Sequence, residues 1–473
     1  MEQTRFNVSL DTVIRDVRAV TPTGVRHGDI EIADGRIVDI VAPGQGGEAS
    51  RVIDGGGREA FPGVIDPHVH FRAYESMGVD GDGFDEMVEA AAQGGMTSVV
   101  AFVMAPKERA GIDAIAPIRT LPNGSAVDFG IHHVLWPRQE NLARLHELCE
   151  FGVRSFKMFM AYPERGFMFD GESALAALHA VARVGGLLLV HCEEGNTIRE
   201  LDQRARDQLG TTARIFDYLE ARPESLETVA VQMLGLWASV ARCPLYIVHV
   251  STASGLTAAA ELVRNGLDVT IETCPQYLQL DPSTASRLGP LAKFAPALRT
   301  AEHQAALWRG LRSGIVKIVG SDHSGHCGDI KQRIAEERGI FEVPYGMPGL
   351  ETLLPVLYTH GVLAGRLSRT MLAEVISTNA ARRFGWYPRK GSLQPDADAD
   401  IVLIEPSERR AVDPSSMRTL AGYSPYEGME LSGWPSLTML RGTVTFDGTS
   451  VVSRHGRFLA THPVAVPPEG LVA

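Results

Sequence analysis

No stretch of this chain is both long enough and apolar enough to span a bilayer. Its most apolar runs, such as GGLLLVHC, fall far short of the roughly 20 residues a spanning helix needs. The first residues, MEQTRFNVSLDTVIRD, hold no continuous apolar core of the kind a secretory signal requires. Cysteine is scarce: Cys149, Cys192, Cys243, Cys274 and Cys327 are irregularly spaced and include no CxxC pair. That pattern excludes a disulfide framework and predicts reduced, mostly buried thiols. Positive charge is in deficit: 45 basic residues against 57 acidic ones give a net charge of -12, which disfavours nucleic acid or an anionic membrane as partner. No internal repeat and no low-complexity segment is evident. A soluble, cytoplasmic protein is expected.

What is present divides the chain into three zones. At 473 residues it exceeds what one hydrophobic core usually supports, so two structural domains are expected. Residues 1–56 read as short strands punctuated by Asp-Gly and Gly-Gly turns, and residues 391–473 have the same character before a Pro-rich tail. Neither end has apolar surface for a core of its own, so the two are expected to pair into one small β-sandwich. Residues 57–390 alternate differently. Eight strand-length apolar runs, at 64–70, 97–103, 129–135, 155–160, 187–192, 245–250, 268–274 and 315–322, are separated by helix-like stretches, several ending in Gly. The α/β alternation predicts a parallel sheet. Eight strands suit a closed (β/α)8 TIM barrel better than an open doubly wound sheet, because the chemistry-bearing residues fall at the C-terminal ends of the strands.

Those residues are His68, His70, Lys157, His191, His249 and Asp322, in VIDPHVH, SFKMFM, LLLVHC, LYIVHV and IVKIVGSD. His68 and His70 are two apart on a strand, so both point to one side. Alone, HxH could be a catalytic or core histidine beside a coincidental one, and His191 and His249 singly read as hydrogen-bonded core residues. Four imidazoles at equivalent strand ends converge if the barrel closes, and neutral imidazole is a usual ligand for zinc-like ions. Lys157 shares its strand face with Ser155 and Phe159, where a bare ammonium costs several kcal/mol. Either it snorkels to a carboxylate at the barrel top, or its amine takes up carbon dioxide and bridges two metals as a carbamate. Asp322 could bind one metal, act as general base toward a metal-bridging hydroxide, and then protonate the leaving nitrogen. His323 and His326 are expected outside the ligand set, either behind it or at the surface.

At these residues the chain resembles the cyclic amidohydrolases, most closely the dihydropyrimidinase/hydantoinase branch. The motifs are PGVIDPHVH, SFKMFMAY, LLVHCEE, YIVHVST, ETCPQYL, SDHSGH and PYEGMEL, which together span most of the chain. The resemblance implies a barrel plus sandwich, two divalent ions (zinc, with manganese or cobalt as alternatives) bridged by carboxylated Lys157, and a homotetramer or homodimer. It places the ligand pattern on the six residues above and an oxyanion-stabilising phenol on Tyr162. Its substrates would be small cyclic amides, dihydropyrimidines or 5-substituted hydantoins. Ala295 stands where the family carries a serine that contacts the ring amide. Met347, in Met347-Pro348-Gly349, and Arg72 look more like dihydroorotases. Arg72 either binds a substrate carboxylate or is a salt-bridged loop residue. Residues 72–84 are expected to shape the ring pocket. A dihydroorotase- or allantoinase-like hydrolase is the alternative within enzymes, and a metal-free scaffold the alternative outside them.

Overall fold

The computed structural model describes residues 9–72, 80–116 and 124–462. Five strands open the chain: β1 (Leu10–Thr21), β2 (Gly24–Ala33), β3 (Arg36–Val41), β4 (Ala49–Asp54) and β5 (Glu59–Pro62). The β1–β2 register shifts between Ile14 and Val17, where Asp16 takes φ 53°, so one long strand bends. Its first half pairs with β4 and its second half with β5, both in parallel.

Nine short strands follow: β6 (Val64–His70), β7 (Met96–Val103), β8 (Asp128–Val134), β9 (Ser155–Phe159), β10 (Leu187–His191), β11 (Leu245–Ile247), β12 (Val269–Thr273), β13 (Ile318–Val319) and β14 (His323–Ser324). Every pairing among them is parallel, in the order β13-β12-β11-β10-β9-β8-β7-β6-β14. The last two are halves of one strand interrupted at Gly320–Asp322. Because β13 pairs with β12 and β14 with β6, the sheet closes on itself. This is the TIM barrel expected from the strand count, not an open sheet. Helices flank the strands, among them Phe84–Gln93, Gly171–Arg183, Ser225–Ala241, Ala253–Arg264 and Ala301–Arg312. Their starts are written in the sequence: Asp170 accepts from Ser173 N–H, and Thr252 from Gly255 N–H.

Covered on both faces, the barrel strands are buried almost throughout rather than on alternate residues; β7 is buried along its whole length. Alternate residues Ile65, Val100, Phe102, Val134, Leu187, Leu189, Tyr246 and Ile318 fill the interior, with Phe384 and Trp386 packed against them.

The chain returns to the first sheet with β15 (Ile401–Ile404) and, after an excursion through the small pair β16 (Arg409–Ala411) and β17 (Glu430–Ser432), with β18 (Pro435–Leu440) and β19 (Thr443–Phe446). The β15–β5 pairing joins the two ends of the chain, and the N-terminal share of the sheet runs through Pro62. Ile14, Val17, Ile30, Ile32, Ile401, Leu403 and Met439 form its core. All five cysteines are free thiols, four of them buried. Among the described residues no helix is long and apolar enough to cross a membrane.

Candidate active site

The inward alternation of the strands carries on past the apolar core. Leu187 and Leu189 face inward on β10, and His191 is the next residue of that face. On β9 the same face presents Lys157 opposite Leu189, and Phe159 opposite His191. At β11 and β13 the ladder stops just before the functional residue. His249 takes φ 42° and Asp322 takes φ 52°, left-handed backbone that non-glycine residues rarely hold. These turns end the expected strands early, Ile247 being the last residue of β11 and Val319 the last of β13. They also release both side chains from the ladder, so each is aimed by the turn.

Two groups of ligand-type atoms result. Nε2 of His68 and Nε2 of His70 lie 3.0 and 3.2 Å from Oδ1 of Asp322, and the three residues form a cluster able to hold a cation. The His68–Asp322 approach has ion-pair distance but an angle that makes no hydrogen bond, which leaves the buried Nε2 unsatisfied. Beside them, Nδ1 of His191 faces Nε2 of His249 at 3.0 Å, the His249 ring centre 5.4 Å from that of His68. Lys157 lies between the two groups: its Nζ is 4.8 Å from the Phe102 ring centre and 5.1 Å from that of Phe159. The Phe102 ring packs on His68 and His70, and the Phe159 ring on His191. No carboxylate lies within ion-pair distance of Lys157 among the described residues, so no snorkelling partner is present.

The electrostatics follow from burial. Burial brings the Lys157 amine down to about 8, against the pull of Asp322 and Glu272. Burial likewise lowers His70, His191 and His249. His68 is the exception: burial opposes its charge, but the Glu272 and Asp322 carboxylates outweigh it and push the ring up to about 9. For Asp322 burial works upward, yet the imidazoles of His68, His70 and His249 hold the carboxyl well below its usual range. A cation at Nε2 of His68 would take the place of the proton that Asp322 favours there, while Nδ1–H stays on Glu272. Two convergent imidazole pairs, an ionised aspartate and an orphaned buried nitrogen fit a metal-binding site.

Several supporting residues escaped the sequence reading. Glu272, on β12, receives Nδ1–H of His68 at 2.6 Å, the backbone N–H of His249 at 3.0 Å and the Tyr246 hydroxyl at 2.7 Å. It therefore fixes the His68 tautomer, leaving Nε2 as the lone-pair donor, and anchors the turn at His249. Glu193 does the same for His191, 2.8 Å from its Nε2, so that Nδ1 is the nitrogen presented inward. Asp66 ties His68 N–H to Ser321 N–H, joining the first and eighth strands. A signal for Glu272 was there: a carboxylate inside a buried strand needs a partner as much as Lys157 does. His323 and His326 are both buried. Nε2 of His323 lies 2.9 Å from Asp82, and its Nδ1 accepts from Gly349 N–H.

The remaining predicted residues divide. Tyr162 follows β9 in a left-handed turn (φ 64°), its ring centre 5.2 Å from that of His191. Arg72 is exposed, its backbone N–H bonded to Asp82 and its guanidinium beside Gly83 at the start of the Phe84–Gln93 helix. Met347 is buried against the eighth strand, its carbonyl receiving Ser324 N–H. Ala295 is buried in the loop after β12 and offers only a methyl group. Of loop 72–84, residues 73–79 lie outside the described residues.

Residues 60–445 match the model of the amidohydrolase family. An L-hydantoinase of Paenarthrobacter aurescens is 33% identical over 450 residues, covering 94% of this chain and 96% of that protein. A D-hydantoinase of Rhizobium radiobacter is 35% identical over 458 residues, covering 93% and 96%. The crystal structure of a dihydropyrimidinase from Brevibacillus agri NCHU1002 superposes with a TM-score of 0.90 at 30% identity, covering 96% of this chain and 100% of that one.

Proposed function

This chain belongs to the amidohydrolase family, and from that premise we propose that it opens the amide bond of a small cyclic amide, a dihydropyrimidine or 5-substituted hydantoin, as a metal-dependent hydrolase. The observation that carries this reading is the convergence of His68, His70 and Asp322 on one side, and of His191 and His249 on the other, around a buried lysine held against two aromatic rings. Similarity to both a D- and an L-hydantoinase supports ring opening and favours neither hand.

The residues suit two divalent ions, zinc first, with manganese or cobalt as alternatives. His68, His70 and Asp322 would hold one, and His191 and His249 the other. Lys157 would join them as a carbamate: its neutral amine attacks carbon dioxide, an N–C bond forms and a proton leaves. Such ions supply hydroxide near neutral pH and polarise a carbonyl oxygen. The protein's own groups do the rest. Asp322, kept ionised by its imidazoles, accepts the nucleophile's proton and returns it to the ring nitrogen as that bond breaks. Tyr162 donates its phenol hydrogen to the oxygen that becomes negative at the attacked carbonyl. Glu272 and Glu193 keep one nitrogen each of His68 and His191 aimed inward.

Residues 57–390 are taken as the hydrolase barrel, 1–56 with 391–473 as one sandwich, and the subunits as a cytoplasmic homotetramer or homodimer. Metal analysis and a substrate panel test the reading: about two equivalents of metal per chain, with turnover of dihydrouracil or 5-substituted hydantoins, are expected. Turnover of dihydroorotate or allantoin alone would replace the substrate assignment. Near-zero metal after carbonate-replete expression would point to the scaffold.

A further inference from the structure

The helix Ser225–Ala241 is apolar on two sides, and only one of them faces the barrel. Ala230, Val231, Leu234, Ala238 and Ala241 are buried against the fold. A side chain at Gly235 would run into Leu262 of the helix Ala253–Arg264, so the two helices pack closely. In the first turn, buried Glu227 accepts from the backbone N–H and the hydroxyl of Ser251 at 2.8 and 3.0 Å, which fixes the helix about its own axis. The opposite side carries Val229, Met233, Leu236 and Val240, which are 41%, 37%, 67% and 63% exposed. No other helix among the described residues exposes more than one large apolar side chain. Single exposed apolar residues are ordinary, but four in one stripe call for a cover.

Spacing and charge say what that cover is. The four residues are separated by four, three and four positions, the seam by which one helix packs along another. The spacing reads the same from either end, and so do the sizes: a valine at each outer place, a longer side chain at each inner one. A second copy laid antiparallel, about a two-fold axis between Leu234 and Gly235, therefore sets Val229 beside the partner's Val240 and Met233 beside the partner's Leu236. Each contact is made twice, as a two-fold interface requires. No charged residue stands between Glu227 and Arg242, and the other exposed residues of the stripe are Ser225, Gln232 and Ser239. Two copies of a chain of net charge -12 can meet here without setting like charges together. The helices Gly195–Leu209 and Gly328–Arg338, rich in Arg, Asp and Glu, offer no such stripe.

We propose that the outer face of the helix Ser225–Ala241 is a contact between two copies of this chain, formed as an antiparallel helix pair about a two-fold axis. This rests on the homodimer or homotetramer proposed above and names a face that builds it.

Sedimentation velocity of the full-length protein over a dilution series, on wild type and Leu236→Glu, reads the assembly. Wild type is expected as a dimer or tetramer and Leu236→Glu at half that mass, its dissociation constant raised at least about 30-fold. Cysteine cross-linking reads the register, with wild type as the background. On mild oxidation the double variant Val229→Cys/Val240→Cys should join into disulfide-linked pairs. Val229→Cys alone should not, because its two copies would lie about 16 Å apart along the pair. An oligomer whose mass Leu236→Glu leaves unchanged overturns the face and leaves assembly standing. Linkage by Val229→Cys alone, or none in the double variant, overturns the antiparallel order. A monomeric wild type overturns assembly and face together; shielding of Leu236→Cys from a maleimide in that monomer would make residues 463–473 of the same chain the cover.

Discussion

Two buried lysines at different places in the barrel teach opposite lessons. Lys390 lies where the return sheet meets the N-terminal end of β8, with carboxylate oxygens of Asp400, Asp128 and Asp398 at 2.6, 2.8 and 3.6 Å. Burial works against its charge, but Asp400 and Asp128 overcome burial and raise it above the ordinary lysine value. Lys157 is as deeply buried among the strand ends, yet it lies against two aromatic rings with no carboxylate in ion-pair distance among the described residues, and burial brings it down to about 8. A paired ammonium is a structural tie whose proton is locked. One left among rings is held closer to the neutral, nucleophilic form. The carboxylates of the active site go instead to its histidines: Asp322 and Glu272 to His68, and Glu193 to His191.

The sharpest way to break this contrast is Lys157→Ala. Metal content should drop and ring hydrolysis fall by about a thousandfold or more, with short carboxylic acids restoring part of it. Full activity would remove the carbamate from the mechanism. Lys390→Met should do the reverse, destabilising the fold by roughly 3–5 kcal/mol, because buried carboxylates lose their partner, while turnover per folded molecule persists. Denaturant melts alongside kcat separate the two outcomes. Next in size, Asp322→Asn should keep metal and lose about 10²–10⁴-fold in kcat; an unaltered kcat would exclude Asp322 as the proton carrier.

The smallest effect concerns a third buried charge. Burial pushes Glu351 up to about 7 from 4.5, although Arg418 and Thr419 N–H groups favour its ionised form. The folded state binds this proton more tightly than the unfolded one. Its contribution is therefore complete below about pH 4.5 and disappears as pH rises through about 7. Glu351→Gln should flatten the fall in unfolding free energy across that window, followed by denaturant melts, by an amount on the order of 1–3 kcal/mol. An unchanged slope would show that Glu351 does not carry it.

Much of the fold could be read locally. Runs of apolar residues interrupted by Gly-terminated helical stretches located the barrel strands to within a few residues, because backbone periodicity is a short-range property. The eighth strand was read as continuous and is split in two, since a left-handed aspartate leaves no trace in hydrophobic pattern. The six ligand-type residues were legible from their chemistry and common strand-end position. Glu272 was not, although the same reasoning about buried charge applied to it: its partner His68 is 204 residues away.

Residue type and local periodicity, then, determined that strands alternate with helices and that imidazoles, an amine and an aspartate stand at their ends. Only the closed barrel decided which nitrogen of His68 and of His191 faces inward, and that the Lys157 amine lies against the Phe102 and Phe159 rings. The division is physical. Secondary structure answers to neighbours a few bonds away, whereas tautomers, charge states and side-chain direction answer to groups that only tertiary packing brings within a few ångströms.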